Sequence, residues 1–142
     1  MKTTIGCGSE IELRIPRQAE FVCVARKTAA TVAHHLSFAW DAVRDIELAV
    51  GEACNNAIEH VPAELGQEIV VRLGVEPDRL VVEVIDQGEG FDPEEAEQGV
   101  ADGETVRGFG IIVMRSVMDE VEIRCDPETG TCVRMIKRRP SQ

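Results

Sequence analysis

The chain has 142 residues, 44% of them apolar, which suits one domain whose core needs no staple; its five cysteines (Cys7, Cys23, Cys54, Cys125, Cys132) are odd in number, scattered and without a C-x-x-C pair, so neither a disulfide framework nor a zinc site is indicated. With 15 basic and 26 acidic residues the net charge is −11, which repels a polyphosphate backbone and argues against direct nucleic-acid binding, while suiting either a basic protein partner or plain solubility. No apolar run approaches the roughly 20 residues that span a bilayer, and the Met1 segment lacks a signal peptide's apolar core, so the expectation is a cytosolic single domain over residues 1–142 with reduced thiols.

Ile11, Leu13 and Ile15 alternate with polar residues up to Pro16, the period of a half-buried strand ended by a residue that cannot extend a ladder. From Glu20 to about Leu36 apolar residues recur at three- to four-residue spacing and predict an amphipathic helix. Asp41 is a candidate N-cap for a second helix from Ala42 to about Val61, buried along Ile46, Ala49, Val50, Ala53, Ala57 and Ile58 and ended by Pro62. The period then changes to two. Ile69 to Val75 alternates, Pro77 and Asp78 turn, and Leu80 to Ile85 is almost continuously apolar, as in a central strand buried on both faces. Residues 86–108 are rich in glycine and acidic side chains with few apolar anchors, which predicts a long loop of the kind that serves as a lid or binding segment. A short helix follows from Gly110 to Met118, then a hairpin of Val121 to Cys125 and Thr131 to Ile136, and a frayed basic tail at Lys137, Arg138 and Arg139. Because helices and strands arrive in blocks, the expected fold is an α+β two-layer sandwich with helices on one face of the sheet.

Three motifs carry chemistry. Glu52 and Asn56 stand four residues apart on the second helix and, with Asn55 and Glu59, form a polar stripe in an otherwise apolar segment. A carboxylate and an amide on adjacent turns can hold a hydrated magnesium ion or orient a hydroxyl; a solvated helix face is the plainer alternative. Asp86-Gln87-Gly88-Glu89-Gly90 closes the central strand with an acid and two glycines that let backbone approach a ligand; the alternative is a tight Asx turn. An EF-hand calcium loop is excluded, since Gly88 and Gly90 offer no side-chain oxygen where one is needed. Arg107-Gly108-Phe109-Gly110 leads into a helix, so backbone N–H groups, the helix dipole and the Arg107 fork converge where a phosphate could sit, though glycine-assisted capping accounts for the same residues. Neither a G-x-x-x-x-G-K-[ST] loop nor the H-R-D and D-F-G kinase signatures occur. His34, His35 and His60 have no acidic or cysteine partner at metal-site spacing and read as packing or surface residues.

In this order, E-x-x-x-N on a helix, D-x-G-x-G after a strand and G-x-G before a helix resemble the histidine-kinase-like ATPase (GHKL) superfamily. More closely, the run Gly51 to His60, with Met118-Asp119-Glu120-Val121 and Gly130-Thr131 downstream, resembles the stand-alone bacterial anti-sigma-factor serine/threonine kinases, over residues 10–137. The resemblance implies a mixed sheet backed by helices, with Mg-ATP between them under a lid. The implied partners are an anti-sigma-factor antagonist that carries the acceptor serine, a sigma factor that the chain sequesters, and a second copy of the chain as a homodimer. Residue by residue it implies that Asn56 ligates magnesium, Glu52 activates the attacking hydroxyl and Asp86 accepts the adenine amino group. Gly88 and Gly90 then line the adenine pocket, Arg107, Gly108 and Gly110 form the phosphate end of the lid, and Thr131 supports adenine from the sheet. A buried acid accepts the adenine N6 hydrogens and has no equivalent bond to guanine O6, which gives base selectivity.

The chain also departs from the family pattern. Gly51 stands where a small hydroxyl residue is common, no aromatic follows His60, and the lid carries Asp92, Glu94, Glu95, Glu97, Asp102 and Glu104 without a lysine. Charge neutralisation at the triphosphate then rests on magnesium, Arg107 and the helix N-terminus. The competing readings are a nucleotide-binding regulatory module that transfers nothing and, lower, the ATPase module of a sensor histidine kinase or gyrase-like machine, for which the chain has no room.

Overall fold

The structure, a computed structural model, describes residues 8–60, 68–86, 109–126 and 130–140. In chain order these form β1 (Ser9–Pro16), a 3-10 turn (Ala19–Phe21), α1 (Val22–His35), α2 (Trp40–His60), β2 (Glu68–Val75), β3 (Arg79–Asp86), α3 (Phe109–Val117), β4 (Glu120–Asp126) and β5 (Gly130–Arg138). The strands make one sheet in the order β1-β2-β3-β5-β4, and all the described pairings are antiparallel, where the resemblance implied a mixed sheet. The helices lie on one face. Alternate strand residues such as Ile15, Ile69, Leu73, Val82 and Met135 share a single buried cluster with Ala29, Ile46, Val50, Ala53, Ile111 and Met114 of the helices. This is the two-layer α+β sandwich that the block order predicts, each buried Leu, Ile or Val side chain contributing about 1.5–3 kcal/mol relative to exposure.

The other face of the sheet is open, and its register explains how it stays so. Glu12, Arg72, Glu83, Arg134 and Glu122 are successive cross-strand partners, an alternating row of charge across all five strands. Arg72 Nε donates to Glu12 Oε1 at 3.0 Å, and this bond, with one from Arg14, holds the Glu12 carboxyl below its ordinary range. Opposite charges placed cross-strand favour this one register and discourage edge slippage. Central strand β3 is therefore fully buried only over Leu80 to Val82; Glu83 and Ile85 are half-buried on the open side, where burial on both faces was expected.

Boundaries differ from the sequence reading at two places. The second helix starts at Trp40, with Val43 N–H bonded to Ala39 O at 3.0 Å, so Asp41 sits inside the first turn, where it favours the helix dipole, and is not the N-cap. The turn before it is closed by Ser37 at φ 64, with Phe38 N–H bonded to Ala33 O and Ser37 N–H to His34 O, the Schellman arrangement normally completed by glycine. The basic tail is also ordered, not frayed: β5 runs to Arg138. Lys137 Nζ bonds Asp45 Oδ2 of α2 at 3.2 Å and the Val117 carbonyl at the end of α3, while Arg139 N–H bonds Asp78 O. A cation on the last carbonyls of α3 complements that helix's dipole.

All four described cysteines are free thiols, Cys54 buried and Cys125 exposed. Burial pushes the Cys54 thiol up to about 12 from an ordinary 9.0, with Arg26 opposing the shift. The folded state holds this proton after the unfolded chain has released it, so the stability linked to Cys54 is complete below pH 9 and lost as pH rises from 9 to about 12. Unfolding midpoints measured across that window are expected to fall, and to fall less in Cys54→Ala.

Candidate functional site

One end of the sheet collects the site. Pro16 pairs with Glu68, Val70 with Ile85, Asp86 with Thr131 and Asp126 with Gly130, so the ends of β1, β3 and β4 and the starts of β2 and β5 lie together. Arg17, just after β1, donates from a guanidinium nitrogen to the Ile58 carbonyl at 3.1 Å, which fixes the last turn of α2 at this same end and satisfies one of its orphan carbonyls. Gly130, at φ 96, opens β5 in a conformation that favours glycine.

Asp86 and Thr131 are direct partners across β3 and β5, two residues beyond the core pair Val84 and Val133, and so point to the helix-covered face. Both are buried, at 7% and 3% exposure, in a cluster otherwise apolar. The row continues to Cys125, whose sulfur accepts from Thr131 Oγ1 at 3.9 Å. Sequence reasoning missed Cys125 as a neighbour of this row, because nothing in its local pattern reveals the register of β4 on β5.

The second part lies between α2 and α3. Asn56 is buried, and among the described residues its Nδ2 has no hydrogen-bond partner. Glu52, one turn earlier, is half-buried, whereas Asn55 and Glu59 face solvent, so the polar stripe divides into an inward pair and an outward pair. Opposite the inward pair stands Gly110, the second residue of α3. A Cβ placed on Gly110 would lie 2.9 Å from Glu52 Oε2, 3.2 Å from Asn56 Oδ1 and 3.4 Å from Asn56 Nδ2. Its φ is not in the left-handed region, so glycine is required here for space and not for conformation. A polar amide left unbonded and buried costs about 1–3 kcal/mol. A protein retains such a group where a ligand supplies the missing partner, and an amide with a carboxylate at a helix N-terminus is an oxygen-rich donor set suited to magnesium and phosphate.

The structure thus brings Glu52, Asn56 and Gly110 together and pairs Asp86 with Thr131, at one end of the sheet. Gly88, Gly90, Arg107 and Gly108, and most of the expected lid, lie outside the described residues. His34 and His35 are on the surface, His34 set edge-on to Trp40 with ring centroids 4.7 Å apart. No helix among the described residues is long and apolar enough to cross a membrane.

Because an alanine at position 110 would crowd Glu52 and Asn56, Gly110→Ala separates site from scaffold. Helix propensity favours alanine by roughly 0.5–1 kcal/mol, so the variant is expected to melt no lower than the parent while binding Mg-ATP more weakly. Calorimetry and thermal unfolding on the same samples check both halves.

A helix bearing a carboxylate and an amide against the N-terminus of a second helix, beside a sheet that ends in a buried Asp–Thr pair, is the layout of a histidine-kinase-like ATPase. The sequence matches the family described as "Histidine kinase-like ATPase domain" over residues 15–137, and the chain belongs to that family. It is similar to the proteins named serine-protein kinase RsbW of Bacillus velezensis and of Bacillus subtilis, 35% identical to each over 136 residues that cover 89% of this chain and 84% of each relative. The serine-protein kinase RsbW of Bacillus cereus is 33% identical over 136 residues. Among solved structures, the RsbU and RsbW domains of a Mycobacterium tuberculosis protein superpose with a TM-score of 0.67 at 18% identity, covering 94% of this chain and 34% of that one. A mycobacterial sensor histidine kinase, MprB, superposes with a TM-score of 0.55 at 16% identity, over 92% of this chain and 100% of that one. At these identities the structural likeness is one of fold.

Proposed function

We propose that the chain is a cytosolic, single-domain ATP-dependent serine/threonine protein kinase of the anti-sigma-factor type. The observation that carries this is the buried Asn56 amide, unpartnered among the described residues, facing Gly110 beside the Glu52 carboxylate. Family membership implies ATP use, and the RsbW relatives are serine-protein kinases by name. The proposed acceptor is a serine on an anti-sigma-factor antagonist, and the proposed second partner is a sigma factor held by the same chain, acting as a homodimer.

Bound Mg-ATP supplies the γ-phosphoryl group, with magnesium offsetting charge on the phosphates. The rest is the work of the chain's own residues. Asn56 would hold the metal through its amide oxygen, and Gly110, with Arg107 and Gly108 before it, would offer backbone N–H groups and a guanidinium to the phosphates. Asp86, supported by Thr131, accepts from the adenine amino group, and Gly88 and Gly90 let backbone approach the base. Glu52 would accept a hydrogen bond from the acceptor hydroxyl, orient it and take its proton as the hydroxyl oxygen bonds to the γ-phosphorus and the bond from that phosphorus to the β–γ bridging oxygen breaks, with ADP as the leaving group. A nucleotide-binding module without transfer gives no role to a carboxylate at Glu52, half-buried and aimed at α3.

Titration calorimetry with ATP and GTP, with and without magnesium, tests the binding half of this reading. Magnesium-dependent heat with ATP and a much weaker signal with GTP is the expected result. Equal binding of the two nucleotides removes Asp86 as the base-selecting residue, and no binding of either overturns the site.

A further inference from the structure

Helix α3 has nine residues, fewer than the roughly 12–15 at which an isolated helix is even marginal in water, so packing must place it. It packs chiefly on α2, burying Gly110, Ile111 and Met114 and leaving Phe109 and Ile112 exposed. Both of its ends meet α2 through polar groups. At the first, Gly110 stands opposite Glu52 and Asn56. At the last, the Lys137 ammonium of β5 donates to the Val117 carbonyl and, at 3.2 Å, to Asp45 Oδ2 of α2. Lys137 follows Val133 and Met135 on the helix-covered side of β5, with 15% of its side chain exposed. The chain just after α3 is tied to β5 by Asp119 N–H bonding Ile136 O at 2.9 Å and by Arg138 N–H bonding Asp119 Oδ2 at 2.6 Å, but neither bond reaches α2.

Spacing relates the two ends. Asp45 precedes Glu52 by seven residues on α2, and Gly110 precedes Val117 by seven on α3. Seven residues are two turns, which separate each pair by about 10.5 Å and return it to the same side of its helix. With Asp45 at Val117 and Glu52 at Gly110, the helices run antiparallel along one seam, the ion bridge at one end and the candidate site at the other.

We propose that Lys137 and Asp45 are positioning residues for nucleotide binding: their bridge to the Val117 carbonyl fixes α3 along α2 and so sets the α3 N-terminus against the phosphates. This rests on the ATP site proposed above, since it needs phosphates at Gly110. A helix this short moves as one body, so a slide or turn at Val117 is carried to Gly110, where a Cβ would already lie 2.9 Å from Glu52 Oε2 and 3.2 Å from Asn56 Oδ1. Binding groups tolerate only about 0.5 Å of such misplacement. The ammonium also sits at the negative end of the α3 dipole, whose positive end is the one offered to the phosphates.

The test is calorimetry of the full chain with Mg-ATP, run on each variant at a temperature where its unfolding curve without nucleotide shows it fully folded. Lost stability alone leaves the affinity of a fully folded protein unchanged, so affinity separates positioning from a merely structural role. Lys137→Met is expected to lower Mg-ATP affinity by roughly tenfold, the lower end of what loss of a supporting group costs a ligand site. Lys137→Arg, which keeps the cation and its donors, is expected to stay close to the parent. Asp45→Ala is expected to weaken binding several-fold, although removing an acid near a triphosphate would strengthen it if only the field mattered. The double variant Asp45→Ala with Lys137→Met is expected to bind no more weakly than Lys137→Met alone, because both remove one link. Parental affinity in Lys137→Met, or tighter binding in Asp45→Ala, overturns the inference and leaves the ATP site intact. If Lys137→Met does not fold, Asp45→Ala decides by the sign of its effect. A parent chain that does not bind Mg-ATP overturns the site itself, and this inference with it.

Discussion

Asn56→Ala is expected to lower Mg-ATP affinity by roughly 100-fold or more, since loss of residues that merely orient a metal ligand already costs about 10–100-fold and here the proposed ligand itself is removed. The same substitution is expected to leave the unliganded fold as stable as the parent. Asn56 is 6% exposed with Nδ2 unpartnered among the described residues, so the native state carries a desolvated amide that alanine relieves. That relief, about 1–3 kcal/mol, offsets the packing lost with the side chain. Calorimetry of binding and thermal unfolding without nucleotide measure the two quantities together. Loss of stability in step with affinity marks Asn56 as a core residue; unchanged affinity removes it from the metal site.

Glu52→Gln is expected to do the reverse of what a binding mutation does. A group that orients the acceptor hydroxyl and takes its proton acts in the transition state, where general-base contributions are about 10² to 10⁴-fold, whereas the groups proposed to hold the nucleotide in the ground state are Asn56, Asp86 and the α3 N-terminus. Glutamine preserves size and the packing opposite Gly110, where Glu52 Oε2 stands 2.9 Å from the position a Cβ would take. Single-turnover transfer is therefore expected to fall by that factor with Mg-ATP affinity nearly unchanged. Transfer at the parental rate refutes the assigned role, and a parallel loss of affinity assigns Glu52 to nucleotide binding.

Much of this architecture was legible in the sequence, for reasons particular residues make clear. Alternation at Ile69, Val71, Leu73 and Val75 is set by a sheet buried on one face, so period and burial agree along β2. The constellation was readable because its parts are local: Glu52 and Asn56 share a helix, Asp86 ends a strand and Gly110 begins a helix. What was not legible depends on contacts between segments far apart in the chain. That Asp86 pairs with Thr131, 45 positions on, is a matter of register. Lys137 read as tail because three basic residues in a row look solvated, yet Asp45 and the Val117 carbonyl hold it in place. Gly110 read as a phosphate-binding helix start, with helix capping as the alternative, and neither reading reveals that its missing side chain leaves space for Glu52 and Asn56. Asp41 resembled an N-cap because capping residues also favour the first turn, where it stands.

The central claim is phosphoryl transfer to a protein hydroxyl, and the most direct measurement is a single turnover with γ-labelled ATP. The parent chain is mixed with candidate antagonist proteins chosen for forming a nucleotide-dependent complex with it. The account predicts label on a serine or threonine of the antagonist, dependent on magnesium and abolished in Asn56→Ala. A parent chain that binds both Mg-ATP and the antagonist, yet leaves the antagonist unlabelled at every time point, contradicts it.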